Sequence, residues 1–309
     1  MPVSSVASPP RGPPIPPDAA SPRARTLGAL FLLVTILGWG LNWPILKALL
    51  QELPPLTARG WSGVWAMAGL LAAAWLLRER VGVPAGAWGR LLLYSGLNVT
   101  AWMGCATVGL LWIGAGEGAM IAYTMPAWAA LLAWPMLGER LTAARVAALA
   151  LAMSGVAVLL AADLTLGLAV LPGAVIILAG AVLFAFGTIL TKKAPLDMPP
   201  LALVGWQVGL GCLPLLLGGF LLETADFAAL SPGGWAAMVY MAALPLCLCY
   251  LAWFAALKRL PAGAAAIGTL LTPVVGVLAA ALALGEPLGL REVAALLLTI
   301  GGTLLALGR

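Results

Sequence analysis

The chain has 309 residues, of which 63% are hydrophobic and only 9% charged, and its mean hydropathy is +1.06. A soluble globular domain carries about 25% charged residues, so most of this surface must face lipid or other apolar helices. A net charge of +5 would suit a nucleic-acid surface, but the basic residues follow a topology pattern instead. With 0 His in the chain, imidazole metal ligands, His-activated nucleophiles and His proton relays are all excluded.

Residues 1–26 are rich in Pro, Ser and Ala and include Arg11, Arg23 and Arg25. Nothing there can bury a core, and a disordered cytoplasmic tail is expected. The apolar run 27–50 is longer than a signal-peptide core and its Pro-rich lead is not a usual n-region, so it reads as a spanning helix. A helix needs about 20 apolar residues to cross the hydrocarbon. Charged and Gly/Pro punctuation cuts the chain into spans at 27–50, 59–77, 89–112, 117–137 and 143–161, then 168–190, 199–222, 235–257, 263–284 and 289–307. The predicted fold class is therefore an all-α integral membrane protein with ten transmembrane helices. Cys105, Cys212, Cys247 and Cys249 lie inside apolar runs and read as small buried hydrophobes, without the CxxC spacing of a metal or redox site.

With the N-terminus inside, thirteen of the 16 basic residues fall on cytoplasmic segments, and only Lys47, Arg59 and Arg291 fall outside. The positive-inside bias then puts both termini in the cytoplasm. Trp88, Trp112 and Trp235 lie at predicted helix ends, where they would anchor the interfaces.

The chain also writes itself twice. At a shift of 147 residues Pro126 falls on Pro273, Gly138-Glu139 on Gly285-Glu286, Leu141 on Leu288 and Gly155 on Gly302, with no gap. At a shift of 145, Lys47 meets Lys192, Pro54-Pro55-Leu56 meets Pro199-Pro200-Leu201, and Trp61 meets Trp206. The repeat spans five helices, an odd number, so the second copy enters the membrane from the opposite face. The expected domains are one five-helix repeat over 27–161 and a second, inverted, over 168–307. Inverted repeats are a transporter architecture, with the site at the midplane between the halves.

A Pro in the middle of the fourth and ninth helices, followed by an apolar run and Gly-Glu-x-Leu, resembles the EamA domain of the drug/metabolite transporter superfamily. So does Gly38-Trp39-Gly40-Leu41-Asn42-Trp43-Pro44 in the first helix. The resemblance covers about 27–307 in two copies. It implies a ten-helix carrier of the bacterial inner membrane that exports amino acids or related small metabolites by alternating access. Its cavity would be lined by helices 1, 3, 4, 6, 8 and 9. A drug or lipid-precursor exporter of the same fold is the alternative, and a structural or sensory membrane protein ranks below both. An intramembrane enzyme is not expected, because there is no deep acid pair and no nucleophile–base motif. No cofactor or metal is expected. A small-molecule substrate and the lipid bilayer are the expected partners, nucleic acid is not, and a homodimer is left open.

Pro126 and Pro273 each remove a backbone hydrogen bond and free a carbonyl four residues earlier, at Ala122 and Thr269, which makes them candidate hinges or gates. Asn42 and Asn98 are polar groups at depth with aromatic company, Trp39 and Trp43 for the first, Tyr94 and Trp102 for the second. Together with Tyr123 and Thr124, and with Tyr250, Trp253, Thr269 and Thr272 in the second half, they form the candidate substrate site; interhelical hydrogen bonding is the competing role for such residues. The copies differ where Trp39 meets Phe184, Asn42 meets Gly187, Tyr123 meets Leu270 and Thr124 meets Leu271, so the first half is expected to supply the hydrogen-bonding side. Glu117 begins helix 4 near Lys47 and Arg59; it reads as a carboxylate at a solvated helix N-terminus, with proton coupling as the alternative. Glu139 and Glu286 are expected to tie their turns to the following helix, by ion pairs or by capping.

Overall fold

The computed structural model describes residues 22–138, 142–163, 168–260, 265 and 268–307, and among them it is helical with no strand. In chain order the helices are α1 Pro22–Leu49, α2 Pro55–Leu76, α3 Trp88–Gly109, α4 Ala115–Leu137, α5 Ala143–Asp163, α6 Leu171–Lys193, α7 Pro200–Leu222, α8 Pro232–Leu257, α9 Leu271–Leu284 and α10 Leu290–Leu307. Six of them, α1, α3, α4, α6, α7 and α8, are long and apolar enough to cross a membrane. Large apolar side chains on their outer surfaces stand free, as in Trp75, Phe220, Leu221, Leu282 and Leu290. Trp88, Trp112 and Trp235 are exposed at or beside helix ends.

Two helices start earlier than their apolar runs. Helix α1 begins at Pro22, inside the stretch expected to be tail, because Pro is pre-organised for the first helical position; residues 1–21 lie outside the described residues. Helix α2 begins at Pro55, four residues before the expected 59. Its free N–H groups at Leu56 and Thr57 donate to the Glu223 carboxylate at 2.9 and 2.8 Å, a partner 167 and 166 residues away that no local pattern announces.

The packing pairs the helices in a regular way. Helix α2 lies on α7, α5 on α10 and α4 on α9, while α1 contacts α8 and α9 just as α6 contacts α3 and α4. Small residues permit these approaches. A Cβ at Gly302 would stand 2.6 Å from Ala148 O, and one at Gly155 would stand 2.8 Å from Ala295 O, so each helix of the α5–α10 pair rests a glycine on its partner's backbone. Gly155 and Gly302, like Ala148 and Ala295, are separated by the same 147 residues that the sequence repeat requires.

Irregular backbone recurs within a residue of that interval too. Helix α3 carries a π turn at Gly96–Ala101, and α8 carries one at Leu244–Leu248. Helix α4 is interrupted at Tyr123–Thr124 and resumes at Met125, while α9 begins at Leu271 after a turn at Thr269–Leu270. Both α4 and α9 end on a left-handed residue, Gly138 at φ 69° and Gly285 at φ 66°, a conformation that only glycine adopts without steric cost. The glycine of each Gly-Glu pair is thus a helix stop.

Gly302→Ala should lower stability by about 1–3 kcal/mol through overpacking against the α5 backbone. Gly89→Ala, with nothing within 4 Å of the added carbon, should be neutral. Thermal unfolding in detergent micelles distinguishes the two.

Candidate functional site

The α4 break and the π turn of α8 border one cavity. A cavity of about 300 Å³ lies between α1, α2, α3, α4, α6 and α8. Helix α1 supplies Trp39, Asn42 and Trp43 to its wall, α3 supplies Trp102, α4 supplies Tyr123 and Pro126, and α8 supplies Tyr250. The aromatic rings stand in two groups. Trp39 meets Tyr250 edge-on at a centroid distance of 5.6 Å, and Trp102 meets Trp43 at 6.3 Å and Phe184 of α6 at 6.0 Å.

The bent backbone is satisfied from neighbouring helices. Trp39 Nε1 donates to Pro245 O in the π turn of α8 at 3.0 Å, and the Tyr240 hydroxyl donates to Gly38 O at 2.9 Å. At the α4 break Thr124 Oγ1 donates to Ile121 O at 2.7 Å, and Thr303 Oγ1 of α10 donates to Tyr123 O at 3.1 Å. Such partners are what irregular backbone needs at membrane depth.

Other candidates stand elsewhere. The Tyr94 ring is buried with Leu196 and Met198, and its hydroxyl donates to Ala194 O at 2.7 Å, near the end of the bundle that carries the 193–200 turn. Asn98 packs on Gly187, its Oδ1 buried without a partner; any side chain at 187 would collide with it. Thr124 and Thr272 are buried in helix contacts, with Thr272 O lying beside Gly40 of α1. Trp253 stacks behind Trp39 at 6.0 Å without reaching the cavity wall. Thr269 sits in the turn before α9, and Pro273 is buried in the first turn of α9 while Pro126 faces the cavity.

Arg59 is the residue that sequence reasoning missed. It was read as lying near the outer surface with Lys47, but the early start of α2 carries it into the second turn, where it is 4% exposed and lines the cavity. Its Nε donates to Thr107 Oγ1 of α3 at 3.1 Å. Among the described residues no carboxylate lies within ion-pair distance of its guanidinium, and no Asp or Glu lines the cavity. An unpaired charge in such a place costs several kcal/mol. The available signal was an Arg five residues after Pro54 in a helix otherwise free of charge.

The end that carries the 109–115 turn is tied across the chain. Lys47 Nζ donates to Leu110 O and to Ile113 O, closing the C-terminus of α3. Glu286 accepts from Ala115 N–H at 2.6 Å and Gly116 N–H at 2.9 Å. The expectation that Glu286 serves its own following helix is thereby corrected: it caps α4, some 170 residues away. Gly114 makes this approach feasible, since a Cβ there would stand 2.9 Å from Glu286 Oε2. Helix α10 is capped instead by Glu292, which accepts from Gly289 N–H at 2.7 Å. Glu139 lies outside the described residues. Glu117 accepts from Gly114 N–H at 3.1 Å and faces Arg291 at 3.6 Å, so its carboxylate joins the same cluster of caps.

Apolar helices of spanning length, broken helices and a cavity buried among them define a multi-pass membrane protein. The model of the EamA-like transporter family matches residues 26–161 and again residues 171–308, and the chain belongs to that family, within the drug/metabolite transporter superfamily. It is similar to the "Uncharacterized transporter YvbV" of Bacillus subtilis, with 31% identity over 281 residues that cover 90% of each chain. It is also similar to the "Probable amino-acid metabolite efflux pump" of Salmonella typhimurium, with 31% identity over 291 residues covering 90% of this chain and 94% of that one. A solved crystal structure shares the fold at a TM-score of 0.66 and 20% identity, covering 91% of this chain and 96% of the other.

Glu286→Ala removes two charge-assisted bonds and strands two helix N–H groups, so it should cost about 1–3 kcal/mol. Chemical or thermal unfolding in detergent, with Gly89→Ala as reference, measures this.

Proposed function

We propose that the protein exports an amino acid or a related small metabolite across a bacterial inner membrane by alternating access, as a ten-helix unit of two inverted five-helix repeats with both termini cytoplasmic. The observation that carries this reading is the small aromatic cavity lined from both copies of the repeat, at the level where α4 breaks and α3 and α8 unwind. The paired helix contacts and the 147-residue spacing of the breaks support the inverted repeat. The amino-acid efflux named for the Salmonella relative supports the substrate class.

In the proposed cycle one five-helix unit rocks against the other about the cavity. The break beside Pro126 lets the two halves of α4 tilt separately, and the turn at Thr269–Leu270 before Pro273 frees the start of α9 in the same way. Opening at the 109–115 end requires release of Glu286 from the start of α4 and of Glu223 from the start of α2, contacts that join the two units. Substrate lies against Trp39, Asn42, Trp43, Trp102, Tyr123 and Tyr250. Asn98, Tyr94, Thr124, Trp253, Thr269 and Thr272 shape the helices behind it. Glu117 serves as a cap and an ion-pair partner, which favours facilitated diffusion or exchange over proton coupling through that group.

A cavity of about 300 Å³ suits a small solute better than the large apolar cargo of a lipid-precursor exporter. The test is the metabolite efflux profile of cells that overexpress the protein, followed by flux into proteoliposomes. Trp39→Ala and Asn42→Ala should each lower saturable flux about tenfold at unchanged expression, equivalent to about 1.4 kcal/mol of substrate binding. Unaltered flux in both variants would remove the cavity from the transport path. Glu117→Gln should leave any response to a pH gradient as it is in the wild type; loss of a gradient-driven component would restore the coupling role.

A further inference from the structure

Among the described residues that line the cavity, Arg59 is the one fixed charge, and no acid there balances it. Arg guanidinium stays protonated at any physiological pH and offers five N–H donors in a planar fork. Arg59 spends one of them, through Nε, on Thr107 Oγ1. That bond ties the guanidinium of α2 to α3 beside the cavity that Arg59 lines, and among the described residues no Asp or Glu lines that cavity or pairs with Arg59. The acids at the 109–115 end are already engaged with backbone N–H groups and with Arg291. Arg59 is also peculiar to one half of the chain. Its counterpart at the 145-residue shift is Val204, although the neighbouring Trp61 is matched by Trp206. The rest of the wall is aromatic or aliphatic apart from the Asn42 amide and the Tyr123 and Tyr250 hydroxyls. The one indole N–H of Trp39 is committed to Pro245 O.

Taking the cavity as the transport site, we propose that Arg59 receives the carboxylate of the substrate, and that the cavity selects organic monoanions consisting of one carboxylate on an apolar or aromatic body. A planar guanidinium matches a carboxylate with two parallel hydrogen bonds, and the aromatic walls supply the surface for the apolar part. Among the described lining residues there is no acid for an α-ammonium, so the carboxylate is required and the amine is not. An N-acylated amino acid or an arylalkanoic acid satisfies the site as fully as the free amino acid does. A monoanion also neutralises Arg59, whereas a zwitterion leaves the cavity with the same net charge it had when empty. A membrane potential negative inside then favours outward movement of the bound class without a coupled proton. This agrees with the lack of any titratable carboxylate along the cavity wall.

The experiment uses the full-length protein in proteoliposomes loaded with radiolabelled N-acetyl-L-phenylalanine, L-phenylalanine or L-phenylalaninamide. Efflux of the N-acetyl compound should equal or exceed that of phenylalanine, and the amide should not move. A valinomycin-imposed interior-negative potential should accelerate efflux of the N-acetyl compound and leave phenylalanine unaffected. Arg59→Gln should reduce efflux of the N-acetyl compound tenfold or more, with Arg59→Lys keeping part of it. Should Arg59→Gln fail to fold, ligand-induced thermal shift of the wild type decides: the N-acetyl compound should raise the melting temperature and the amide should not. Transport of the amide at the rate of the carboxylates, exclusion of the N-acetyl compound while phenylalanine moves, or full activity in Arg59→Gln would each overturn the assignment. Failure of all three probes would also overturn it, while the efflux profile of whole cells would still judge the transport reading on its own.

Discussion

In hydrocarbon a backbone N–H or C=O without a partner costs several kcal/mol, because there is no water to replace it. Every departure from straight helix in this chain must therefore be answered by a polar group from somewhere else. The α4 break is answered by Thr303 of α10, and the π turn of α8 by Trp39 of α1. The π turn of α3 lies against α7, whose Gly211 O accepts from Thr100 Oγ1 at 2.6 Å. These partners come from distant parts of the sequence, so the irregular elements hold the two halves of the chain together as well as bending it. The α4 break and the π turn of α8 both border the cavity.

The ends of the helices obey the same constraint with charged groups in place of neutral ones. At the 109–115 end, Glu52, Glu223 and Glu286 each accept from the first N–H groups of a helix remote in sequence, and Lys47 donates to carbonyls that close α3. Carboxylates at helix N-termini and an ammonium at a C-terminus also oppose the helix dipoles favourably. Among the described residues the opposite end carries the exposed pair Arg80–Asp197 at 3.4 Å, Trp206 Nε1 donating to Val81 O at 2.8 Å and Tyr94 donating to Ala194 O. Exposed ion pairs contribute little, whereas bonds to partly buried carboxylates resist separation.

What was legible in the sequence follows from the range over which each signal acts. Hydrophobic runs, the mid-helix prolines and the glycine that stops α4 and α9 are local, and they marked the helices and their breaks directly. The repeat was legible because it is a comparison of the chain with itself. Arg59 was not, because its depth depends on where α2 begins, and that is set by Glu223, more than 160 residues later. The π turns were hidden for a similar reason. A single inserted residue in a helix leaves no composition signal, and its support comes from other helices. Tyr94 and Asn98 had the right chemistry and the right company along α3, but helical spacing alone does not say which face meets the cavity and which meets α6.

The two copies of the repeat share their bends and differ in their side chains, and that division has a physical logic. Alternating access needs two gates that cost similar energy to open, which a duplicated backbone with breaks at matching positions provides. Recognition needs the opposite. A site with the same groups on both sides of a pseudo-twofold would hold a solute in two equivalent poses, with little preference for an asymmetric one. Here Asn42 is open to the cavity while its counterpart Gly187 is filled by Asn98, Trp39 is answered by the smaller Phe184, and Arg59 is answered by Val204. The polar and charged groups therefore lie on one side of a scaffold whose mechanical parts are matched. In the proposed cycle an amphipathic solute is oriented once, by its charged end, and keeps that orientation while the two units change their opening around it.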